Sequence, residues 1–214
     1  MTGQKPEAGS RRPEFGGRKP AETQRPDTAL PFERQAPVVL LAMCVFGEAR
    51  GEPLAVQQAV AQVVLNRAGH PHIVFGSRRD STLEENIRWV VLQRKQFSCF
   101  NPYDPNYPKI LRPLKHERPE VWERCLRVAE TALAENQPPL AGARGSDLLT
   151  ENSDHYFDDS IEPPKWAAPE KRTVKIGRLN FYRLYLPEIS SQESVVRSQE
   201  SVVSSRKSEV GGQA

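Results

Sequence analysis

Cysteine is scarce in this chain: three residues, Cys44, Cys99 and Cys125, among 214, an odd count without Cys-x-x-Cys spacing. That pattern excludes a disulfide framework and points to no zinc site. Long apolar runs are missing too. The longest, 38–46, falls far short of the roughly 20 residues that a membrane helix needs, so no transmembrane segment is expected. Excess charge of one sign is also absent, with 30 Lys+Arg against 27 Asp+Glu and a net charge of +3. Without a basic aromatic stripe or a DNA-binding motif in the middle of the chain, specific nucleic-acid recognition is set aside. Neither an HExxH helix nor a GxSxG elbow occurs, which removes zinc-protease and serine-hydrolase chemistry.

Apolar residues make up 37% of the chain and mean hydropathy is −0.62. The apolar shortfall lies at the ends. Residues 1–34 carry Pro6, Pro13, Pro20, Pro26 and Pro31 with scattered arginines and almost no large apolar residue. Such a segment cannot bury enough surface to offset its ordering entropy, and it is expected to be a disordered arm. Its basic lean suits contact with an anionic polymer, or simple solubility. Residues 188–214 form a Ser/Glu-rich tail with a tandem repeat, SQESVVR then SQESVVS. It is read as disordered, with a short partner helix as the alternative. One domain remains, 35–187.

Within it, 37–49 reads as a helix that starts at Pro37 and is apolar nearly all round, hence buried. Pro53 suits the start of a second helix, where Val56, Ala59, Val60, Val63 and Val64 form a stripe that ends near Gly69. Leu83–Gln93 is a third helical stretch. The segment NPYDPNYPK (101–109) reads as irregular, and 119–135 returns to helix. Beyond Pro138-Pro139, HYF and KRTVKIGRLNFYRLYL read as two or three strands. The expected fold class is mainly α (α+β), with a small β element near the C-terminal end of the core.

The turn VFGEARGEP, 45–53, places Glu48, Arg50 and Glu52 where two apolar helices meet. One reading is a charged turn. The other is acid–base chemistry by Glu48, whose carboxyl emerges at the lip of the core, where partial burial favours the protonated form and Arg50 opposes it. On these residues alone, both readings stand.

The stretch AMCVFGEARGEPLAVQQAVAQVVLNRA (42–68) resembles the opening motif of the cell-wall hydrolase family that includes the spore-cortex lytic enzymes. KQFSCFN (95–101) resembles that family's Q-F-S segment, and 150–184 its closing region, in which T-x-G-A-T-H-Y precedes a Trp and an I-G-x-H-x-F-Y strand. The resemblance implies a lysozyme-like helical domain that cleaves peptidoglycan glycan strands between N-acetylmuramic acid and N-acetylglucosamine, as a lytic transglycosylase. It implies that Glu48 is the catalytic acid/base, with Glu52 and Arg50 in support. Polar sugar contacts are expected from Asn66, Gln96, Ser98 and Tyr156, and ring stacking from Phe97, Trp166 and Tyr182. His155 is expected to be a structural hydrogen-bonder, and Trp122 and Phe181 core residues. No metal or organic cofactor is expected, and the partner is peptidoglycan, bound by a monomer. The chain opens without a signal-peptide pattern. Synthesis in the cytoplasm is therefore expected, with release, export by a partner or delivery in a phage particle leading to the wall. The departures are Asn152-Ser153 for Gly-Ala and Asn180 for the strand histidine. They leave a lysozyme-type muramidase, or a weakened wall-binding module, as the rival readings.

Overall fold

Pro37 can open a helix because its missing N–H has no intrahelical partner to lose, and nothing from Val38 to Ala49 stops the helix once begun. The computed structural model, which describes residues 24–70, 72–136, 147 and 149–185, has this helix, α1, over Pro37–Ala49. Ten of its 13 residues are buried, so it is the axis of the fold. Around it pack α2 (Leu54–Gly69), α3 (Leu83–Leu92), the short α4 (Tyr107–Leu111) and α6 (Pro119–Glu135), with α5 (Pro113–His116) joining the last two. Helix α3 begins at a capping box in which Thr82 and Glu85 answer each other's backbone N–H. No helix among the described residues is long and apolar enough to cross a membrane.

Helix α2 is buried on two sides. Ala61, Val64, Leu65 and Ala68 join the main core around α1. Val56, Ala59, Val60 and Val63 face a second cluster with Leu179 and Phe181 of the sheet. That sheet holds β1 (His155–Asp158), β2 (Arg172–Ile176) and β3 (Leu179–Tyr182), antiparallel in the order β1-β3-β2. Gly177 turns the β2–β3 hairpin at φ +59°, and a Cβ there would come within 2.9 Å of Val56. Burying each large side chain in these two clusters contributes about 1.5–3 kcal/mol. The fold is mostly helical with one small sheet, the class expected from the sequence.

Two expectations are corrected. The arm was placed at 1–34, yet 24–34 is folded onto the domain. Gln24 offers its carbonyl to the Trp122 indole N–H at 3.1 Å. Phe32 sits edge-on to Phe100 and Tyr107, and Gln35 binds the carbonyls of Asp27 and Leu30. The apolar anchors are few, but the backbone partners make the difference. Residues 1–23 and the tail 188–214 lie outside the described residues. The NPYDPNYPK segment also ends in the first turn of α4, because Pro108 occupies a first-turn position where a proline favours helix.

The turn between α1 and α2 is fastened from below. Gln57, fully buried, donates its amide to the carbonyls of Ala49, Arg50 and Glu52 at 3.1–3.3 Å. Its own Oε1 accepts from Arg124, which also donates to the Arg50 carbonyl. A helix C-terminus leaves carbonyls unanswered, and here one side chain answers three. Gln57→Leu leaves the Glu52 carbonyl and Arg124 Nε without this partner, while the Ala49 and Arg50 carbonyls keep the Glu52 N–H and Arg124, so urea denaturation should show a loss of about 1–3 kcal/mol. A loss below about 0.5 kcal/mol would mean that water replaces the amide without cost.

Candidate active site

Glu48 lies in the last turn of α1, half-buried, where the helix opens onto a cleft of about 470 Å³. One wall of the cleft is the 47–52 turn, and the other is formed by Asn106, Glu117 and Val121. That volume suits a sugar-sized ligand. The glycine before the glutamate is required by packing. A Cβ on Gly47 would lie 2.5 Å from the Cys99 Cβ and 2.6 Å from its sulfur. Cys99 can therefore close on the helix and aim its backbone N–H at Glu48 Oε1, at 3.5 Å. From the other side the Tyr156 hydroxyl approaches Oε2 at 3.4 Å.

Both contacts are long and both donors neutral. Burial pushes the Glu48 carboxyl above its ordinary value, against the pull of the Cys99 thiol and backbone N–H; the Asp104 charge adds to the rise, and the Tyr156 hydroxyl opposes it. Burial, and then the nearby Glu48, push the Tyr156 phenol well upward, so it stays a donor. A carboxyl in such a setting can carry a proton at near-neutral pH and deliver it into the cleft. Arg50 was expected to oppose this by its charge. Instead its guanidinium is taken up by Glu117 at 3.0 Å and by the Asn106 side chain at 3.0 Å. Glu52 lines the same cleft and pairs with Arg178 of the hairpin at 3.6 Å.

Arg67 went unremarked as a site residue in the sequence. It is buried, and it donates to the Asp154 carbonyl at 2.6 Å and to Gln96 Oε1 at 3.0 Å, with the Phe75 and Phe97 rings against its guanidinium. It thereby ties the segment leading to Cys99 to the strand carrying Tyr156, the two groups that flank Glu48. The available signal was a charged residue set among the apolar positions at the end of α2.

The other expected residues have different surroundings. Gln96 is occupied at both ends, by Arg67 and by the Val74 carbonyl, and Phe97 is buried against Arg67. Ser98 is exposed. The Asn66 amide donates to Asp147, Thr150 and the Ser153 carbonyl, bracing the loop before β1. Strand alternation separates Tyr182 and Trp166 from Glu48. His155 and Tyr182 are paired across β1 and β3, and with Phe157 and Trp166 they form an aromatic layer on the sheet face opposite Tyr156 and Phe181. His155 is hydrogen-bonded to Asp154 at 2.8 Å. Trp122 and Phe181 are fully buried.

The departures from the motif have structural explanations. Asn152 stands at φ +58°, in the left-handed region that asparagine tolerates better than most residues other than glycine. Ser153 is fully buried and hydrogen-bonded to the Thr150 carbonyl and the Thr173 hydroxyl. Asn180 is a buried member of β3, opposite Phe157 and Lys175. Among the described residues no group of three or more His, Cys, Asp or Glu is arranged to hold a metal.

The catalytic domain of the Bacillus cereus SleB protein is similar in structure, with a TM-score of 0.44 and 24% sequence identity, covering 78% of this chain and 99% of that one. No curated protein matches the chain. The family model described as Cell Wall Hydrolase matches residues 51–182, well over half of the sequence, starting just after Glu48. This chain belongs to the cell wall hydrolase family.

Proposed function

We propose that the protein cleaves peptidoglycan glycan strands between N-acetylmuramic acid and N-acetylglucosamine as a lytic transglycosylase, with Glu48 as its acid and base. The observation that carries this reading is the setting of Glu48: a half-buried carboxyl at the mouth of a sugar-sized cleft, flanked by neutral donors and raised by burial. Family membership supports the cell wall as target.

The protonated Glu48 gives its proton to the glycosidic oxygen as the bond from the muramic anomeric carbon breaks, releasing the 4-hydroxyl of N-acetylglucosamine. The carboxylate then takes the proton of the muramic C6 hydroxyl as that oxygen bonds to the anomeric carbon. Glu48 is thereby reprotonated, and the product ends in a 1,6-anhydro ring. Because the nucleophile is tethered to the reacting ring, no second molecule has to be immobilised. Neutral hydrogen-bond donors suit both halves of the cycle, and the buried cation whose charge reaches Glu48, Arg67, directs its hydrogen bonds to Asp154 and Gln96.

Replacing Glu48 by Gln removes the proton donor with little change of shape. Release of soluble fragments from purified peptidoglycan should fall by roughly 10²–10⁴-fold, while Glu52→Gln costs less. Equal losses at both positions, with unchanged circular dichroism, would argue for a two-carboxylate mechanism.

The same substitution should change stability in a pH-dependent way. The folded-state carboxyl titrates above its ordinary 4.5, so ionising it costs the folded state more than the unfolded. Its contribution is intact below about pH 4.5 and is lost as pH rises through the folded-state value. Thermal unfolding should therefore show Glu48→Gln to be more stable than the parent at neutral pH, with the gain vanishing in acid. A constant difference across that range would refute the shift.

A further inference from the structure

Asn106 stands at the start of α4, on the cleft wall opposite the 47–52 turn. An asparagine at a helix N-cap ordinarily turns its Oδ1 onto the first unanswered backbone N–H groups. Asn106 makes no such cap. Its Oδ1 instead accepts from Arg50 Nη1 at 3.0 Å. A guanidinium has donors only, so the atom it holds is the amide oxygen, and the amide nitrogen is left with both its hydrogens. That Nδ2 donates to no group among the described residues. The mount is firm. Arg50 is held in turn by Glu117 and the Phe46 carbonyl, and the Asn106 N–H by Asp104 Oδ1 at 2.7 Å.

We propose that Asn106 is a specificity residue of the cleft: its Nδ2, oriented by Arg50, donates to the carbonyl of a 2-acetamido group and so selects N-acetylated sugars. The inference rests on the cleft being the glycan site, as proposed above, and names the group on the glycan that this wall reads.

The chemistry of the wall matches that group part by part. An acetamido substituent has a carbonyl that needs a donor, an N–H that needs an acceptor and a methyl that needs apolar surface. Side-chain donors are scarce in the cleft. Glu52 and Glu117 line it with acceptors, Glu48 commits its proton to the glycosidic oxygen, and Arg50 spends Nε and Nη1 on protein oxygens. Asn106 supplies the neutral donor. Glu117 has a second carboxylate oxygen beyond the one that Arg50 holds, and Val121, on the same wall, supplies the apolar surface. A sugar with a 2-hydroxyl offers neither the planar carbonyl nor the methyl.

Two neutral oligosaccharides isolate the acetamido group: tetra-N-acetylchitotetraose carries it on every ring, and cellotetraose has a hydroxyl in its place. Nitrogen-15 NMR titrations of the full chain give both affinities. The parent should bind the N-acetylated oligomer more tightly. Asn106→Asp keeps an oxygen for Arg50 and loses the N–H; Asn106→Ala loses the donor without adding a charge. Both variants, checked for an unchanged circular dichroism spectrum, should bind the N-acetylated oligomer roughly threefold to tenfold more weakly, the worth of one hydrogen bond, and cellotetraose within about twofold of the parent. Equal losses on the two oligomers, no loss, or a loss in one variant alone overturns the proposal, as does a parent without preference. Fragment release from purified peptidoglycan separates this from the reading beneath it. A parent that shows the Asn106-dependent preference but releases no fragments sustains acetamide recognition and sinks glycan cleavage. A parent that releases fragments without that preference leaves cleavage standing and sinks the Asn106 assignment alone.

Discussion

The site depends on one buried cation. Arg67 has left water near the end of α2, and an arginine interior to a protein is tolerated only where its donors are answered. Its answers are the Asp154 carbonyl and Gln96 Oε1, with aromatic rings against the guanidinium. Those partners are far apart in sequence and belong to different parts of the fold. Each is also a few residues from a group that touches Glu48: Gln96 precedes Cys99, and Asp154 precedes Tyr156. The cost of burying Arg67 is thus offset by contacts that also set the walls of the site. Asp154 carries the linkage outward, since its carboxylate accepts the backbone N–H groups of Leu184 and Tyr185.

Against this frame the acidity of Glu48 follows from what is kept away as much as from what is near. Gly47 admits Cys99, so the carboxyl is shielded by a thiol and a backbone N–H. Arg50, two residues on, would have held the glutamate ionised, but Glu117 and Asn106 draw it to the opposite wall. Gln57 and Arg124 fasten the turn beneath by donating to the Ala49 and Arg50 carbonyls at the helix end. A helix terminus, normally the loosest part of a helix, is here built as a rigid mount.

Much of this was legible in the sequence, and the failures have physical causes. Helices α1 and α6 were readable to the residue because Pro37 and Pro119 mark their starts and their apolar positions are dense. Glu48 stood out as a charge at the end of an apolar run. The second buried side of α2 was hidden because alanines and valines surround most of the helix, and a stripe shows only when its opposite is polar. Tyr182 and Trp166 looked like cleft residues because strand alternation reveals two faces without saying which meets the site; the pairing of His155 with Tyr182 decides that. Asn106 was masked by the prolines around it, which signal a loop but not the wall that the loop forms. Docking of residues 24–34 depends on backbone carbonyls such as that of Gln24, to which composition is blind.

The account turns on whether Glu48 works alone as acid and base on the glycan strand. The direct measurement is mass spectrometry of the muropeptides released from purified peptidoglycan by the unmodified chain. Attack by the tethered C6 hydroxyl predicts 1,6-anhydromuramic ends, about 18 mass units lighter than hydrolytic ends through the loss of one water. Finding only reducing muramic ends, released by a protein that still needs Glu48, would contradict it and make the enzyme a muramidase of the lysozyme type.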